Sequence, residues 1–498
     1  VLANDFTIPL LLLIPLISGV LALMIRADIP RRILLLSAAS IHFLLTLTSH
    51  NAPPAFGGWV VVDALGCIFL LISSTLFLVA CIFGIGYLAR EKKDEQRVHV
   101  DFESNSLFEN GPESLLTGCL LFFLTAMTLV CVSNHLGMIW VAIEATTLAT
   151  APLIYFHRHR KSLEATWKYL LICSIGIALA LFGNFLLTVS TTTVHNQELP
   201  LLLDQLIKSA PFFQPMWLKA AFIFLLVGYG TKMGLAPLHT WLPDAHSEAP
   251  SFVSALLSGA LLNCAFLGIL RAQQILIAAG LADFGRELLI GFGLLSMGLA
   301  ATFILKQMDF KRMLAYSSVE HMGILALGVG LGGSAVFGSL FHAVNHSFAK
   351  GMLFMAAGNI LTVMHSKSTI KIRGLLHIMP VTSVLWLAGF FAITGSPPFG
   401  SFLSEFTILK AALEQGHIII AIFYALVLSV IFIVMAMIVL RMSFGLPRNT
   451  DPIDVHESWS MIAPPLFLGL VTLMLGVYMP PILERLLHEA ALQLGGTL

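Results

Sequence analysis

Apolar runs of about twenty residues, separated by short polar breaks, recur along nearly the whole chain. A hydrocarbon core about 30 Å thick needs about 20 apolar residues in one helix, so each run predicts one membrane crossing. The runs lie at roughly 7–25, 32–49, 64–89, 114–133, 135–156, 166–190, 216–236, 251–275, 287–305, 313–332, 336–364, 380–397, 416–443 and 460–482. They predict an all-α polytopic membrane protein with about 14 transmembrane helices, numbered here as spans 1 to 14. The run at 216–236 continues into 238–248, and the run at 380–397 continues after a break into 401–414. The first run has no basic segment before it and no cleavage-site pattern, so it reads as span 1 and not as a signal peptide. The longest polar stretch, 90–113, is too short to fold alone and reads as a surface loop or a contact for another subunit.

Basic residues test the count, because short Lys/Arg-rich loops face the cytoplasm. Loops after odd spans carry Arg26, Arg31, Arg32, Arg90, Lys92, Lys93, Arg97, Arg158, Arg160, Lys161, Lys306, Lys311, Arg312, Lys367, Lys371, Arg373, Arg441 and Arg448. Even loops hold Lys208, Lys219, Arg271 and Arg286. A wrong count would scramble this alternation. Both termini are therefore expected on the non-cytoplasmic side.

Composition agrees. Of 498 residues, 57% are hydrophobic and 11% charged, with 27 basic against 27 acidic residues. A nucleic-acid binder needs a basic excess, and a soluble enzyme of this size needs more polar surface. The six cysteines, Cys67, Cys81, Cys119, Cys131, Cys173 and Cys264, lie in or beside apolar runs without a C-x-x-C pair. They suggest neither a disulfide framework nor an iron–sulfur site. No nucleotide-binding glycine motif is present.

Spans 7 and 12 are both interrupted by Pro and Gly, in GYGTKMGLAPLHTWLPDAHSEAPS and GSPPFGSFLSEF. Proline removes a backbone donor and clashes with the preceding turn, and in lipid the freed groups need protein or water partners. Two breaks five spans apart suggest a duplication, spans 4–8 against 9–13, and broken helices in repeats point to ion sites. The plainer alternative is a pair of incidental kinks.

Few charges remain inside the spans. Each costs at least about 2.5–3.5 kcal/mol on insertion scales, so each is a functional candidate. Glu144 is mid-span 5, Lys232 precedes the span-7 break, Lys350 is in span 11, and Glu405 follows the span-12 break. Lys168 starts span 6, where it can snorkel, and Lys410 reads as reaching the interface. His342, His346 and Lys350, spaced by four, share one helical face. His239 and His246 flank the span-7 break near Asp244 and Glu248, and Glu320 and His321 lie early in span 10. Histidines four apart on a helix can bind Zn²⁺. Here no H-E-x-x-H occurs and no further carboxylate shares that turn, so no metal is expected. A lone buried Glu can also merely bond a neighbouring helix.

The set suits proton transport. Desolvation disfavours a charged lysine and a nearby carboxylate restores it, so a Glu–Lys pair can switch as it opens and closes. Coulomb coupling of roughly 4 kcal/mol at 4 Å, for an effective dielectric near 20, passes the change along. Histidine suits the relay positions.

At WVAIEATTLA, TKMGLAPLHTWLPDAHSEAP, AYSSVEHMG, NHSFAKGMLFMAAGNI and GSPPFGSFLSEF the chain resembles the antiporter-like subunits of respiratory complex I, Mrp-type Na⁺/H⁺ antiporters and membrane-bound [NiFe] hydrogenases. Through ESLLTGCLLFFLTAMTLVCVSNHLGMIWVAIEATTLATAPLIYFHRHR it is most similar to the F components of hydrogenase-4-type (formate hydrogenlyase-like) complexes. The resemblance implies two inverted five-helix repeats with broken helices 7 and 12. It divides the chain into N-terminal spans (1–113), a first repeat (114–275), a second repeat (286–445) and span 14 with its tail (446–498). By motif position Glu144 and Lys232 match the family's span-5 and span-7 groups, Lys350 with His342 and His346 the span-11 relay, and Glu405 the terminal group. His239, His246, Lys168 and His321 complete the proton-translocation candidates.

One departure is in span 8, where many members carry Lys or His. SALLSGALLNCAFLGILR offers only Ser258 and Asn263, so water, His246 or His321 must bridge the relay there. The implied role is a non-catalytic, ion-translocating subunit of an energy-converting hydrogenase-like oxidoreductase in a prokaryotic inner membrane. No cofactor is expected in this chain; iron–sulfur clusters and a Ni–Fe site belong to partner subunits, with other membrane subunits and a peripheral redox arm. The alternatives are a subunit of an Mrp-type antiporter, of complex I, or a passive scaffold. Carboxylates serve Na⁺ as well as H⁺.

Overall fold

The computed structural model describes residues 5–94, 99–100, 107–195, 200–446 and 457–497. The middle of the 90–113 loop, with Arg97, and Arg448 lie outside them. Among the described residues thirteen helices are long and apolar enough to cross a membrane. They are spans 1 to 11 (Thr7–Met24, Asp28–Asn51, Ala64–Glu91, Glu113–Val132, Leu136–Ile154, Arg160–Thr191, Pro215–Met233, Ser251–Ala278, Ala282–Ile304, Phe310–Leu331, Ser334–Met364), span 13 (Ile418–Ser443) and span 14 (Trp459–Val477). Span 12 is the fourteenth. Its first half, Pro380–Ile393, has only 14 residues, too few to cross alone, and Gly400–Glu414 completes it beyond the break. The one antiparallel ribbon among the described residues pairs His99–Val100 with Leu107–Phe108.

Both breaks have a local cause. Span 7 stops at Gly234, whose φ of +85° is the left-handed cap that glycine adopts without strain. The Gly234 and Leu235 N–H groups take the Thr231 and Gly230 carbonyls, and Trp241 Nε1 donates to Thr231 O at 2.9 Å. The chain resumes as the half-helix Trp241–Glu248. Span 12 turns at Gly395 and Ser396, and restarts at Gly400. In a chain that crosses at every span, an offset of five is odd, so the two broken helices run in opposite directions.

Span 8 is the buried hub; its apolar window lies wholly inside the protein. It carries a π-helical turn at Leu257–Leu261, a bulge often found at functional sites. Span 11 is the second hub and touches spans 3, 8, 10, 12 and 14. Span 14 braces the span-12 break. A Cβ on Gly476 would stand 1.9 Å from the Pro398 carbonyl oxygen. Gly476→Ala is therefore expected to destabilise the chain by about 1–3 kcal/mol through overpacking, seen as a lower Tm in detergent; an unchanged Tm would show that the break is not held there.

The hydropathy reading did not foresee the C-terminal helix Pro481–Leu492. It buries Leu486, Leu487, Ala490 and Ala491 against spans 3 and 11. Beyond it Gln493 meets Gln274 at 3.2 Å and Gly495 O accepts from Arg286 at 3.4 Å. Several basic residues assigned to loops lie in helices, and Arg31, Arg271 and Lys311 are buried there. Lys311 is buried at the start of span 10 and Arg271 is buried within span 8; each found a polar partner that hydropathy cannot see.

Candidate functional site

Glu144 lies next to the midpoint of Leu136–Ile154 and is half-buried. Ser174 donates to its Oε1 at 2.9 Å and Thr147 to its Oε2 at 3.2 Å. Lys232 is fully buried. Its Nζ donates to Thr147 Oγ1 at 2.8 Å and to the Tyr169 hydroxyl at 2.6 Å, and lies 4.4 Å from the Tyr169 ring centre. Tyr169 in turn meets Thr150 at 2.6 Å. The expected Glu–Lys pair is thus a chain, ammonium to hydroxyl to carboxylate, with no direct ion pair among the described residues. Thr147 accepts from one partner and donates to the other, which is the arrangement a proton transfer through a hydroxyl requires. Lys232 also sits in the last turn of span 7, where the helix dipole favours a cation.

Span 8, which packs against spans 7 and 11, carries hydroxyls and an amide. Ser258 meets Ser318 at 2.8 Å. Asn263 donates to Ser347 Oγ and to the Gly259 carbonyl, both at 2.8 Å. His246 is buried, stacked on Phe354, and without a hydrogen-bond partner at either ring nitrogen. It lies within electrostatic reach of Lys350 and Lys311. Both nitrogens of His346 are likewise buried and unpartnered. Such atoms are satisfied by water where room permits.

Lys350 is fully buried at the centre of span 11. Its ammonium donates to the Leu314 carbonyl at 2.7 Å and to the Ser317 hydroxyl, and Glu320 is the carboxylate in electrostatic reach. Beyond it the rings of His346, His321 and His342 follow one another, with centroids 5.1 Å apart at both steps. His321 Nδ1 meets His342 Nε2 at 2.9 Å, and His342 Nδ1 meets Ser404 Oγ at 2.9 Å. Glu405, next in sequence to Ser404, closes the series. It lies against Gly395, where a Cβ would stand 1.9 Å from its Oε2, so only glycine leaves room for the carboxylate. Glu405 also borders a cleft of about 520 Å³ between the span-12 break and span 13.

The remaining candidates divide by place. Lys168 is not inside the bundle; its side chain is 45% exposed and pairs with Glu164 at 2.7 Å and Asp244 at 3.1 Å. His239 is buried against Phe303 and Tyr316, apart from the other histidines. Lys410 is exposed and faces Glu414 at 3.6 Å. On the Lys/Arg-rich side a cavity of about 500 Å³ is lined by Lys168, Asp244, Glu248, Asp309, Arg312 and Lys367, among others. Glu248 meets Lys367 at 2.9 Å and His159 at 3.4 Å. Burial pushes its carboxyl up, but Lys367, His159 and Lys311 outweigh burial and hold it below the usual carboxylate range. Lys311, just inside, donates to the Ala249 carbonyl at 2.6 Å and lies within electrostatic reach of His246.

Sequence reasoning missed Thr147, Tyr169, Ser174, Ser317, Ser404 and Lys311. Thr147 was the most accessible of these, because it sits three residues after Glu144 and so shares its helical face. The others join the site only through tertiary contacts.

The sequence profile of the family described as NADH:quinone oxidoreductase/Mrp antiporter, TM, matches residues 133–432. That stretch is more than half the chain and contains Glu144, Lys232, Lys350 and Glu405. The chain belongs to this family. Among its relatives, the hydrogenase-4 component F homolog of Methylacidiphilum infernorum is 36% identical over 441 residues, 88% of each chain. A Na(+)/H(+) antiporter protein of Alkalihalophilus pseudofirmus is 32% identical over 464 residues, 87% of this chain but 54% of that longer one. Among solved structures, a chain of the archaeal membrane-bound sulfane sulfur reductase superposes with a TM-score of 0.85 at 21% identity, covering 99% of this chain and 98% of that one. The shared fold therefore runs from end to end, and the family resemblance carried by the motifs is borne out.

Proposed function

We propose that the chain is a proton-translocating membrane subunit of an energy-converting, hydrogenase-like oxidoreductase complex. The observation that carries this reading is Lys232, fully buried and joined to Glu144 through the Thr147 hydroxyl. A proton arriving at Glu144 removes the negative charge that favours the ammonium, and the hydroxyl offers a route between them. The change in charge at Lys232 is felt across the span-8 hydroxyls by Lys350 and then by the histidines leading to Glu405. The Lys/Arg-rich side, with its cavity and Lys311, is the cytoplasmic side in this reading. Both termini lie opposite, and residues 114–275 and 286–445 are the two repeats. Redox chemistry belongs to partner subunits that would carry iron–sulfur clusters and a Ni–Fe site. The six cysteines here are free and buried, which suits packing and not cluster ligation.

The test uses inverted membrane vesicles carrying the intact complex. Lys232→Met is expected to abolish redox-driven acidification of the lumen in an assembled complex, whereas normal acidification would overturn the reading. Thr147→Val, nearly isosteric, is expected to slow acidification by roughly tenfold or more, because it removes only the bridging hydroxyl; Thr147→Ser keeps the hydroxyl and is expected to stay near the original rate. The 32% identity to the Na(+)/H(+) antiporter protein supports a second reading, a component of an Mrp-type Na⁺/H⁺ antiporter. Purifying the chain with its partners separates the two. A hydrogenase large subunit supports the first, and membrane subunits alone with ²²Na⁺ exchange support the second.

A further inference from the structure

We propose that His321, His342 and Glu405 form a binding site for one Zn²⁺-class transition-metal ion. Sequence reasoning set a metal aside because no carboxylate shares the histidine turn of span 11. The fold supplies one from elsewhere. The break in span 12 brings Glu405 across to the histidines, and one ligand atom from each of the three residues lies within 4.8 Å of the others, all buried.

Four features point to an ion there. Glu405 Oε1 is buried with no hydrogen-bond partner, and a buried polar atom left unpaired calls for an explanation such as an ion or a water. His342 is oriented from behind, as metal-bound histidines generally are. His342 Nδ1 meets Ser404 Oγ at 2.9 Å. Two imidazoles and one carboxylate are the donor set of catalytic zinc sites, which leave a fourth position for water; a hard cation such as Ca²⁺ or Mg²⁺ would want oxygens instead. Finally, charge favours a divalent ion. Glu320 is within electrostatic reach of Glu405, so two carboxylates can offset it. Lys350, facing His321 and His346, is the opposing cation of the neighbourhood.

The fit needs the three ligand atoms, now within 4.8 Å of one another, to settle to the spacing of a bound ion. Zinc–ligand bonds of about 2.0–2.1 Å put tetrahedral ligand atoms about 3.3 Å apart. The His321–His342 separation of 2.9 Å therefore has to open by a few tenths of an ångström. With one nitrogen of each histidine and a carboxylate oxygen on the metal, the histidine lone pairs that would pass the proton along the last stretch of the proposed relay are occupied. Bound zinc then inhibits transport, and this consequence, unlike binding itself, rests on the transport reading.

The experiment equilibrates the purified full-length chain in detergent with Zn²⁺, removes excess by desalting, and counts metal by mass spectrometry. Co²⁺ is used in parallel for its visible absorption. The expected result is one Zn²⁺ per chain and a tetrahedral Co²⁺ spectrum, with stoichiometric binding lost in His342→Gln and Glu405→Gln. Ser404→Ala, a milder change, is expected to weaken affinity by about 10–100-fold. Glu248→Gln, in the distant basic-side cavity, is expected to keep the metal. No bound zinc, or zinc that survives His342→Gln, Glu405→Gln and Ser404→Ala undiminished, overturns the site. The assay involves no turnover, so normal pumping by Lys232→Met would refute the transport reading and leave this one standing.

Discussion

Replacing Lys350 with Met is expected to reduce proton translocation by the assembled complex by about 100-fold, the usual scale for losing a group that carries the proton. Methionine matches the lysine stem in volume, so packing in span 11 is preserved. What disappears is the ammonium that donates to the Leu314 carbonyl and the Ser317 hydroxyl and that faces Glu320. Leaving those acceptors unpaired costs about 1–3 kcal/mol, which weakens the fold without dissolving it. Lys350→Arg separates charge from proton transfer. It keeps a cation in place, but a guanidinium does not give up its proton in a protein, so Lys350→Arg is expected to fail as badly as Lys350→Met. Initial rates of dye quenching in inverted vesicles, with assembly checked on native gels, provide the measurement. Retained transport in Lys350→Arg would reduce the lysine to a structural charge.

The largest expected stability effect lies elsewhere. Arg271→Ala is expected to destabilise the chain by about 3 kcal/mol, the lower end of the range for breaking a buried pair, because the Asp63 side chain keeps 28% exposure. The pair is bidentate, with Nη1 to Oδ2 at 2.7 Å and Nη2 to Oδ1 at 2.6 Å, and it ties span 8 to the start of span 3. Burial pushes the Asp63 carboxyl up, but Arg271 and the Gly66 N–H more than offset this and hold it below its ordinary value. A carboxyl depressed in the folded state stabilises above its unfolded value, and that contribution fades as pH falls through the folded one. In Arg271→Ala the depressing charge is gone, and burial is opposed only by the backbone N–H bonds. The deficit is therefore largest at neutral pH and shrinks on acidification, as thermal unfolding in detergent at several pH values will show. A deficit independent of pH would mean that lost packing, not the unpaired carboxylate, is responsible.

Much of this architecture was legible because lipid leaves few choices. Apolar length marks the spans, and the cost of a charge in hydrocarbon singles out Glu144, Lys232, Lys350 and Glu405. Proline and glycine mark the two breaks. Where the reading fell short, the missing information was tertiary. Thr147 and Tyr169 are ordinary helix residues until span 7 delivers Lys232 to them. Lys168 looked like a member of the relay because it is a lysine at a helix start, yet Glu164 and Asp244 hold it at the surface. Lys311 and Arg271 looked like loop markers because hydropathy does not reveal a buried carbonyl or a distant Asp63. The amphipathic helix Pro481–Leu492 was invisible to a search for long apolar runs. The juxtaposition of His321, His342 and Glu405 depends on the span-12 break and no local spacing encodes it.

The central claim is that Glu144 and Glu405 are the two ends of one relay, with Lys232 and Lys350 in series. The most direct test compares Lys232→Met, Lys350→Met and the double variant in the intact complex, measuring protons moved per electron in sealed vesicles. Blocks in series do not add. The account predicts that each single variant loses nearly all translocation and that the double variant is no worse. If each single variant instead keeps about half and only the double variant is inactive, the two repeats conduct separately and the single relay is wrong.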